Sequence, residues 1–223
     1  MAIRKESREV DNRELTPPYF RYVVHLIRPF PNFDFFFIKS LRQKAVKMLE
    51  LKPGDRVLDV GCGPGGCFPY LVRAVGPSGL VVGVDISSEV TINARKRIEK
   101  NGWSNVQVIE SDARTVKLNG TFDGLLMFAA GDVYASPSAL ENLFPYLKGD
   151  ARVCAFGVKL SRRRSGKLFN SFFRAMVSKL SFPSAPDFLN YEPWNLLENR
   201  VGKLKVEEYF FGSMFLAWGT IHR

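Results

Sequence analysis

A chain of 223 residues with 46% hydrophobic residues is long enough to bury one substantial core, so we expect a single domain of ordinary globular composition. The formal charge of +10 favours an anionic partner, such as nucleic acid, an anionic membrane surface or an acidic substrate, or else a solvated basic surface. Three cysteines are too few for a disulfide framework, which excludes the small disulfide-rich secreted class and favours a reducing, cytoplasmic compartment.

The start of the chain predicts an arm and an aromatic segment ahead of the main domain. Residues 1–18 are polar and densely charged, and they lack the apolar stretch of a secretory signal. Residues 19–38 are rich in Tyr and Phe, and Pro29 and Pro31 interrupt any single helix there. Residues 40–51 predict an amphipathic helix. We therefore place a boundary at residue 52, with the main domain over 53–223.

Strand-like and helical segments then alternate along the chain. Strands are predicted at 56–60, 79–84, 105–110, 122–128 and 150–157, and helices at about 67–75, 88–101 and 138–147. This alternation favours a parallel sheet covered by helices on both faces. Two strand-like runs, 203–211 and 213–221, meet at Gly212 and predict a closing antiparallel pair. An insertion occupies about 158–192.

The turn after the first predicted strand is rich in glycine and begins with a carboxylate. Gly61, Gly63 and Gly66 satisfy the G-x-G-x-x-G spacing of dinucleotide sites, whereas Asp59 with Gly61, Gly63 and Gly65 satisfies D-x-G-x-G-x-G. A pyrophosphate at this turn would be repelled by Asp59. An ammonium group would instead form a charge-assisted hydrogen bond with it. S-adenosylmethionine carries such an ammonium.

Later strand ends supply further candidate ligand contacts. Asp85 ends the second predicted strand, where a carboxylate can accept hydrogen bonds from ribose hydroxyls, and Ile86 beside it could pack on an adenine ring. Asp112 follows the third strand and could accept a hydrogen bond from an adenine amino group. Each of the two carboxylates could instead cap the helix after it, although we favour the ligand contacts. Ala129-Ala130-Gly131, after the fourth strand, would leave room for a reacting substrate.

In order and spacing, these segments resemble the class I S-adenosylmethionine-dependent methyltransferases, from about Val57 to the C-terminus. VLDVGCGPGG resembles the family's first motif, GVDIS its ribose-binding motif, SDA its adenine-binding motif and FDGLLMF its fourth strand. The resemblance implies a Rossmann-like, doubly wound sheet of seven strands with an antiparallel C-terminal strand. It implies S-adenosylmethionine as cofactor, an aromatic lid before residue 52, and cofactor contacts at Asp59, Gly61, Cys62, Gly63, Gly65, Asp85, Ile86, Asp112, Ala113 and Phe128.

Catalytic residues are harder to predict from the sequence. Methyl transfer from a sulfonium needs no metal, we predict no metal site, and much of the rate can come from positioning, roughly 7–11 kcal/mol. A general base is needed only where the acceptor must lose a proton. Asp132, Tyr134 and His25 are the candidate polar groups, although His25 could instead be a packed or capping residue and Asp132 a turn residue. Methyltransferases that act on exocyclic nitrogens of nucleic-acid bases commonly carry an Asn/Asp-Pro-Pro-Tyr/Phe tetrad after the fourth strand. This chain has Ala129-Ala130-Gly131-Asp132 there, which disfavours N-methylation of a nucleobase.

The insertion suggests a lipophilic acceptor. Over 161–182, apolar residues recur at helical spacing with basic residues around them, which predicts either a helix on an anionic membrane surface or a face packed on the core. The pattern loosely resembles methyltransferases that act on quinones, phospholipid head groups and other small hydrophobic molecules. We therefore expect a small or lipid-like acceptor and peripheral membrane association. The alternatives are an RNA methyltransferase, which the sequence favours less because no separate RNA-binding module is evident, and a non-catalytic cofactor-binding regulator.

Overall fold

The computed structural model describes residues 36–166, 170 and 190–221. The strands of this part of the chain are β1 Arg56–Val60, β2 Leu80–Asp85, β3 Val106–Glu110, β4 Phe122–Phe128, β5 Leu147–Val158, β6 Gly202–Tyr209 and β7 Met214–Thr220. Its helices are α1 Phe36–Met48, α2 Phe68–Val75, α3 Ser88–Asn101, α4 Gly131–Tyr134, α5 Pro137–Leu143 and α6 Asn195–Glu198. Short 3₁₀ turns cover Phe144–Tyr146 and Phe210–Gly212.

The strands form a seven-stranded sheet in the order β3-β2-β1-β4-β5-β7-β6 within the described residues. β1 to β5 are parallel to one another, and β7 runs antiparallel to both β5 and β6. This order confirms the predicted mostly parallel, doubly wound sheet with an antiparallel C-terminal strand. The strand order reverses beside β1, so a crevice opens at the carboxyl ends of β1 and β4, which is where open α/β sheets bind ligands.

Both faces of the sheet are covered, because successive strand residues point to opposite sides. On one face, Val57 packs in a cluster with buried residues of α1 and α2. On the other face, Leu58 packs in a cluster with buried residues of α4, α5 and α6. Asp59 has the same parity as Val57 and therefore projects to the side of α1. This placement decides the surroundings of its carboxylate.

Several predicted boundaries are wrong for local reasons. The helix predicted over 40–51 begins at Phe36 and ends at Met48, since Glu50 adopts a positive φ of 48° just after it. The helix predicted over 138–147 ends at Leu143, because Pro145 cannot continue an α-helix and a 3₁₀ turn follows. β5 consequently starts at Leu147, where it pairs with Phe122. Phe210 and Phe211 form a turn and do not continue β6.

The described residues contain no helix long and apolar enough to cross a bilayer. The predicted boundary at residue 52 falls between α1 and β1. Residues 167–169 and 171–189 of the insertion, and 1–35 of the arm and aromatic segment, lie outside the described residues.

Candidate functional site

The glycine turn joins β1 to α2 at the carboxyl edge of the sheet. Gly61, Gly63 and Gly65 have φ values of +70°, +53° and +76°, a region that side-chain-bearing residues rarely adopt. A Cβ on Gly61 would lie 2.5 Å from the Cβ of Ala130, so this glycine also lets the turn pass close to the end of β4. A Cβ on Gly63 would meet nothing within 4 Å. The turn therefore presents open space at Gly63.

Asp59 is buried at the end of β1 beside this turn. The residue is 1% exposed, and neither carboxylate oxygen has a hydrogen-bond partner in the described part of the chain. Burial raises the pKa of Asp59 to about 7, although the positive charge of Arg42 opposes this rise. A buried carboxylate without a donor is costly unless something satisfies it. A ligand that brings an ammonium group would do so, and in this respect the site fits S-adenosylmethionine.

Arg42 of α1 is a site residue that the sequence did not single out. Its guanidinium carbon lies 4.7 Å from the centroid of the Phe128 ring, and Nη1 donates to the Cys67 sulfur at 3.5 Å. Gly66 makes room for it, since a Cβ there would lie 2.4 Å from Arg42 Nη1. Arg42 thus places a cation next to the buried Asp59. Together the two charges complement a ligand that bears both an ammonium and a carboxylate.

Asp85 connects the tip of β2 to the glycine turn. Its Oδ2 accepts a hydrogen bond from the Gly63 N–H at 2.8 Å, and its Oδ1 accepts one from the Ser87 N–H at 3.0 Å. Burial raises the pKa of Asp85, while these backbone donors act against the rise. An ionised carboxylate has about four lone-pair sites, so acceptor capacity remains for further hydroxyl donors. Ser87 precedes α3 without a side-chain capping bond.

Asp112 follows β3 and is paired with Arg114. The Arg114 backbone N–H donates to Oδ1 at 2.8 Å, and Nε donates to both carboxylate oxygens at 2.9 Å. Partial burial would raise the pKa of Asp112, but the hydrogen bonds and charge of Arg114 outweigh it, and the pKa lies below its usual range. An adenine amino group would therefore compete with Arg114 for this carboxylate.

Two of the candidate catalytic residues lie on α4, a short helix that the sequence did not predict. Asp132 is partly buried at the carboxyl edge, and burial raises its pKa to about 6, with the nearby negative charge of Asp85 adding to the rise. Tyr134 is 1% exposed and packs edge-on against Phe215, with ring centroids 5.5 Å apart. Burial raises the pKa of Tyr134 beyond the range of acid–base chemistry near neutrality. We therefore treat Tyr134 as a core residue.

The remaining predicted contacts surround the same crevice. Phe128 ends β4 and stacks on Phe156, with centroids 4.4 Å apart. Cys62 lies in the turn, 6% exposed, with a pKa raised by burial, so it fills space and is not a reactive thiol. Ile86 and Ala113 are partly buried at the ends of β2 and β3. His25 lies outside the described residues.

Comparison with known proteins assigns the chain to a family. The pattern of the methyltransferase-domain family matches residues 51–169, a little over half of the chain. A crystal structure of an S-adenosylmethionine-dependent methyltransferase from Aquifex aeolicus is 25% identical, with a TM-score of 0.62 over 96% of this chain and 100% of that one.

Two relatives in sequence carry different substrate names. A demethylmenaquinone methyltransferase from Lactobacillus johnsonii is 32% identical over 115 residues, 50% of this chain and 47% of that protein. A protein-L-isoaspartate O-methyltransferase from Pyrobaculum neutrophilum is 30% identical over 133 residues, 58% of this chain and 64% of that protein. The chain thus spans between about half and two thirds of the length of these relatives. With the strand order and the glycine turn, these matches show that the chain belongs to the class I S-adenosylmethionine-dependent methyltransferases.

Proposed function

We propose that this methyltransferase transfers the methyl group of S-adenosylmethionine to a small, hydrophobic or lipid-like acceptor. The observation that carries the cofactor half of the proposal is the buried Asp59, whose two oxygens have no donor among the residues that the structure describes. The acceptor half is supported by the similarity to a demethylmenaquinone methyltransferase and by the small side chain of Ala129 after β4.

Different residues of the chain would bind different parts of the cofactor. Asp59 would accept hydrogen bonds from the ammonium group, and Arg42 would face the carboxylate of the same methionine portion. Asp85 would accept from the ribose hydroxyls with its remaining lone pairs, while its bond to the Gly63 N–H holds the turn in place. Ile86 would lie against the adenine. When bound, the cofactor supplies an activated methyl group on a sulfonium, so no metal is needed.

The acceptor would approach from the end of β4. The stacked rings of Phe128 and Phe156 lie at the ends of β4 and β5, and Ala129 and Ala130 follow β4 with only methyl side chains. The two rings are 6% and 3% exposed and belong to the core, so the room for an acceptor lies beside the exposed Ala129. A small side chain there would let the acceptor lie close to the cofactor, oriented for transfer.

Asp132 would remove a proton from an acceptor hydroxyl. It follows Ala129-Ala130-Gly131 at the carboxyl edge, and its raised pKa of about 6 leaves it ionised at neutral pH yet basic enough to bind a proton. Asp85 and Asp112 lie close enough to raise the pKa of Asp132 through their charge. We assign Asp132 the role of general base.

Transfer of labelled methyl from S-adenosylmethionine into a fractionated cell extract tests the acceptor class. We expect label in the organic phase, and Asp85→Ala serves as the matched protein with impaired cofactor binding. Label confined to the RNA fraction would instead support an RNA methyltransferase that uses the charge of +10. Label confined to protein would support a carboxyl acceptor of the isoaspartate kind. No label in any fraction would favour a cofactor-binding regulator.

A further inference from the structure

The turn between β6 and β7 exposes two adjacent phenylalanines. Phe210 is 46% exposed and Phe211 is 55% exposed, and their ring centroids lie 5.7 Å apart in an edge-to-face arrangement. Single exposed apolar residues are common on protein surfaces, but an adjacent pair on a projecting turn forms a patch. Neither the cofactor site nor the proposed acceptor site uses these two rings.

The backbone of this turn is unfavourable for phenylalanine. Phe210 and Phe211 have φ values of +46° and +56°, where glycine or asparagine would be accommodated with less strain. The conformation is held by the Ser213 N–H, which donates to the Phe210 carbonyl, and by Ser161 Oγ, which donates to the Phe211 carbonyl at 2.7 Å. Strain that the surroundings enforce on an exposed bulky residue points to a use for that side chain.

Arginines flank the same turn. Ser161 Oγ, which binds the Phe211 carbonyl, also accepts from the Arg163 N–H at 3.1 Å, and Arg163 Nη2 pairs with Glu208 just before the turn. The Arg162 guanidinium carbon lies 5.1 Å from the ring centroid of Tyr191, itself 40% exposed. Arg164 is exposed next to them. We call this surface the aromatic–arginine tip: Arg162, Arg163, Arg164, Tyr191, Phe210 and Phe211.

The tip lies at the edge of the sheet that carries the cofactor site. β6 ends at Tyr209 and β7 begins at Met214, which pairs with Val158 at the end of β5. The carboxyl ends of the parallel strands meet at that edge, so the tip and the glycine turn share it. A surface that the tip touches would therefore also face the acceptor side of the protein.

We propose that the aromatic–arginine tip docks the protein on an anionic lipid bilayer. Phenylalanine rings insert into the boundary between head groups and acyl chains, and arginines attract anionic head groups. On this tip Arg162 and Arg163 are ion-paired with Glu192 and Glu208, and Arg164 is exposed beside them. An RNA site would present flat rings to successive bases, whereas the edge-to-face rings of Phe210 and Phe211 offer no parallel stacking platform. The inference rests on the proposed function and deepens it, because a lipophilic acceptor would be supplied from the bilayer.

Sedimentation of the full chain with vesicles tests the proposal. We expect binding to vesicles of phosphatidylcholine with phosphatidylglycerol and little binding to phosphatidylcholine alone. The double variant Phe210→Asn/Phe211→Asn removes the rings but suits the left-handed backbone, so its thermal midpoint should equal or exceed that of the parent. Its affinity for anionic vesicles should fall at least ~10-fold, and that of Arg164→Gln about 5-fold, since a basic residue near such a surface is worth ~1 kcal/mol.

Two control variants test whether vesicle binding depends on the tip itself or on any exposed apolar or basic residue. Ile92→Gln removes an exposed apolar residue of α3, and Arg73→Gln removes an exposed arginine in the last turn of α2, near the amino ends of the strands. Both variants should bind anionic vesicles as the parent does. Equal vesicle binding by the double Phe variant, or no binding by the parent, would overturn the proposal.

RNA is the rival ligand, and it is tested with the same double Phe variant. Loss of RNA binding in the double variant, with vesicle binding unchanged, would assign the tip to RNA and overturn the bilayer proposal. These measurements use neither cofactor nor acceptor. A failure of vesicle binding is therefore distinguishable from a failure of the methyl-transfer experiment, which reads out the acceptor fraction alone.

Discussion

The carboxylate of Asp85 accepts a hydrogen bond of 2.8 Å from the backbone N–H of Gly63, and this bond ties the glycine turn after β1 to the tip of β2. The same carboxylate is the predicted partner of the ribose. Asp85 therefore both shapes the empty space at Gly63 and lines it, which links the geometry of the turn to the affinity for the cofactor.

Replacing Asp85 by alanine should weaken cofactor binding at least tenfold. A pair of hydrogen bonds to a charged group contributes more than about 1.5 kcal/mol, and the turn also loses its tether. Isothermal titration calorimetry with S-adenosylmethionine measures the effect. Glu89→Ala, on the first turn of α3, is the control and should bind normally. An unchanged affinity in Asp85→Ala would remove Asp85 from the cofactor site.

Asp59→Asn should stabilise the ligand-free protein at alkaline pH. The folded pKa is raised to about 7, whereas the unfolded value is about 3.9. The parent's free energy of unfolding should therefore fall as the pH rises from about 4 to 7, by up to ~4 kcal/mol, and level off above that. Asparagine cannot ionise and escapes this loss. Thermal unfolding at pH 5 and pH 8 measures it: the variant's gain over the parent should be larger at pH 8, because only roughly a third of the loss has occurred by pH 5.

The same substitution should act in the opposite direction on the cofactor. An ammonium ligand requires ionised Asp59, so the parent's affinity should fall about tenfold for each pH unit below 7. Asp59→Asn should bind more weakly at pH 8, by roughly 10-fold or more, and lose this pH dependence. A variant affinity that still tracks pH between 5 and 7 would show that another group is responsible.

Arg42→Met should reduce affinity for S-adenosylmethionine by about 10-fold, because a charge-assisted bond to the carboxylate is lost. The decisive comparison is with a cofactor analogue that lacks the carboxylate, which both proteins should bind equally. Lys47→Met removes an exposed cation from the same helix and should change neither affinity. An equal loss for both ligands would mean that Arg42 acts through the fold and not on the carboxylate.

Two glycines of the turn should respond differently to alanine. Gly61→Ala combines a positive φ with a Cβ placed 2.5 Å from Ala130, so we expect a strongly lowered thermal midpoint. In Gly63→Ala the added Cβ meets no atom of the described residues within 4 Å, and its strain is about 1 kcal/mol. It should fold but bind the cofactor weakly, because the added methyl group enters the ligand's space. Tight cofactor binding by Gly63→Ala would place the ligand elsewhere.

Asp132→Asn should lower kcat by about 10²-fold or more if the acceptor loses a proton in the transfer step, since that is the usual contribution of a general base. Cofactor affinity should be unchanged. The parent's rate should fall as the pH drops through about 6, where Asp132 becomes protonated. A rate profile with the same acid limb in the variant would contradict the assignment.

Much of the sheet and the glycine turn could be predicted from the sequence, because each depends on local pattern. The apolar run that ends in Asp59 and the one that ends in Asp85 indicate strands, and the glycines indicate the bend between the first strand and its helix. The doubly wound sheet of seven strands came from the family resemblance, and the two strand-like runs that meet at Gly212 indicated the antiparallel pair; the structure confirms both.

What the sequence missed depends on contacts between distant segments. Arg42 reaches the site only because α1 packs on the face to which Asp59 projects, and nothing in the helical pattern separates it from a solvated arginine. Tyr134 resembled a site residue until Gly157 of β5 proved to make room for its hydroxyl in the core. Arg114 donates hydrogen bonds to Asp112 within a turn that is too short to show a periodic pattern in the sequence.

The position of β7 has a consequence for how the protein is made. β7 lies between β5 and β6, although β6 precedes it in the chain. On the ribosome, β6 therefore emerges with no neighbour to pair with, and the edge of β5 stays bare until β7 follows. Insertion of β7 must complete the sheet in a late, cooperative step, and a chain whose synthesis halts at Gly212 would be prone to aggregate through that edge.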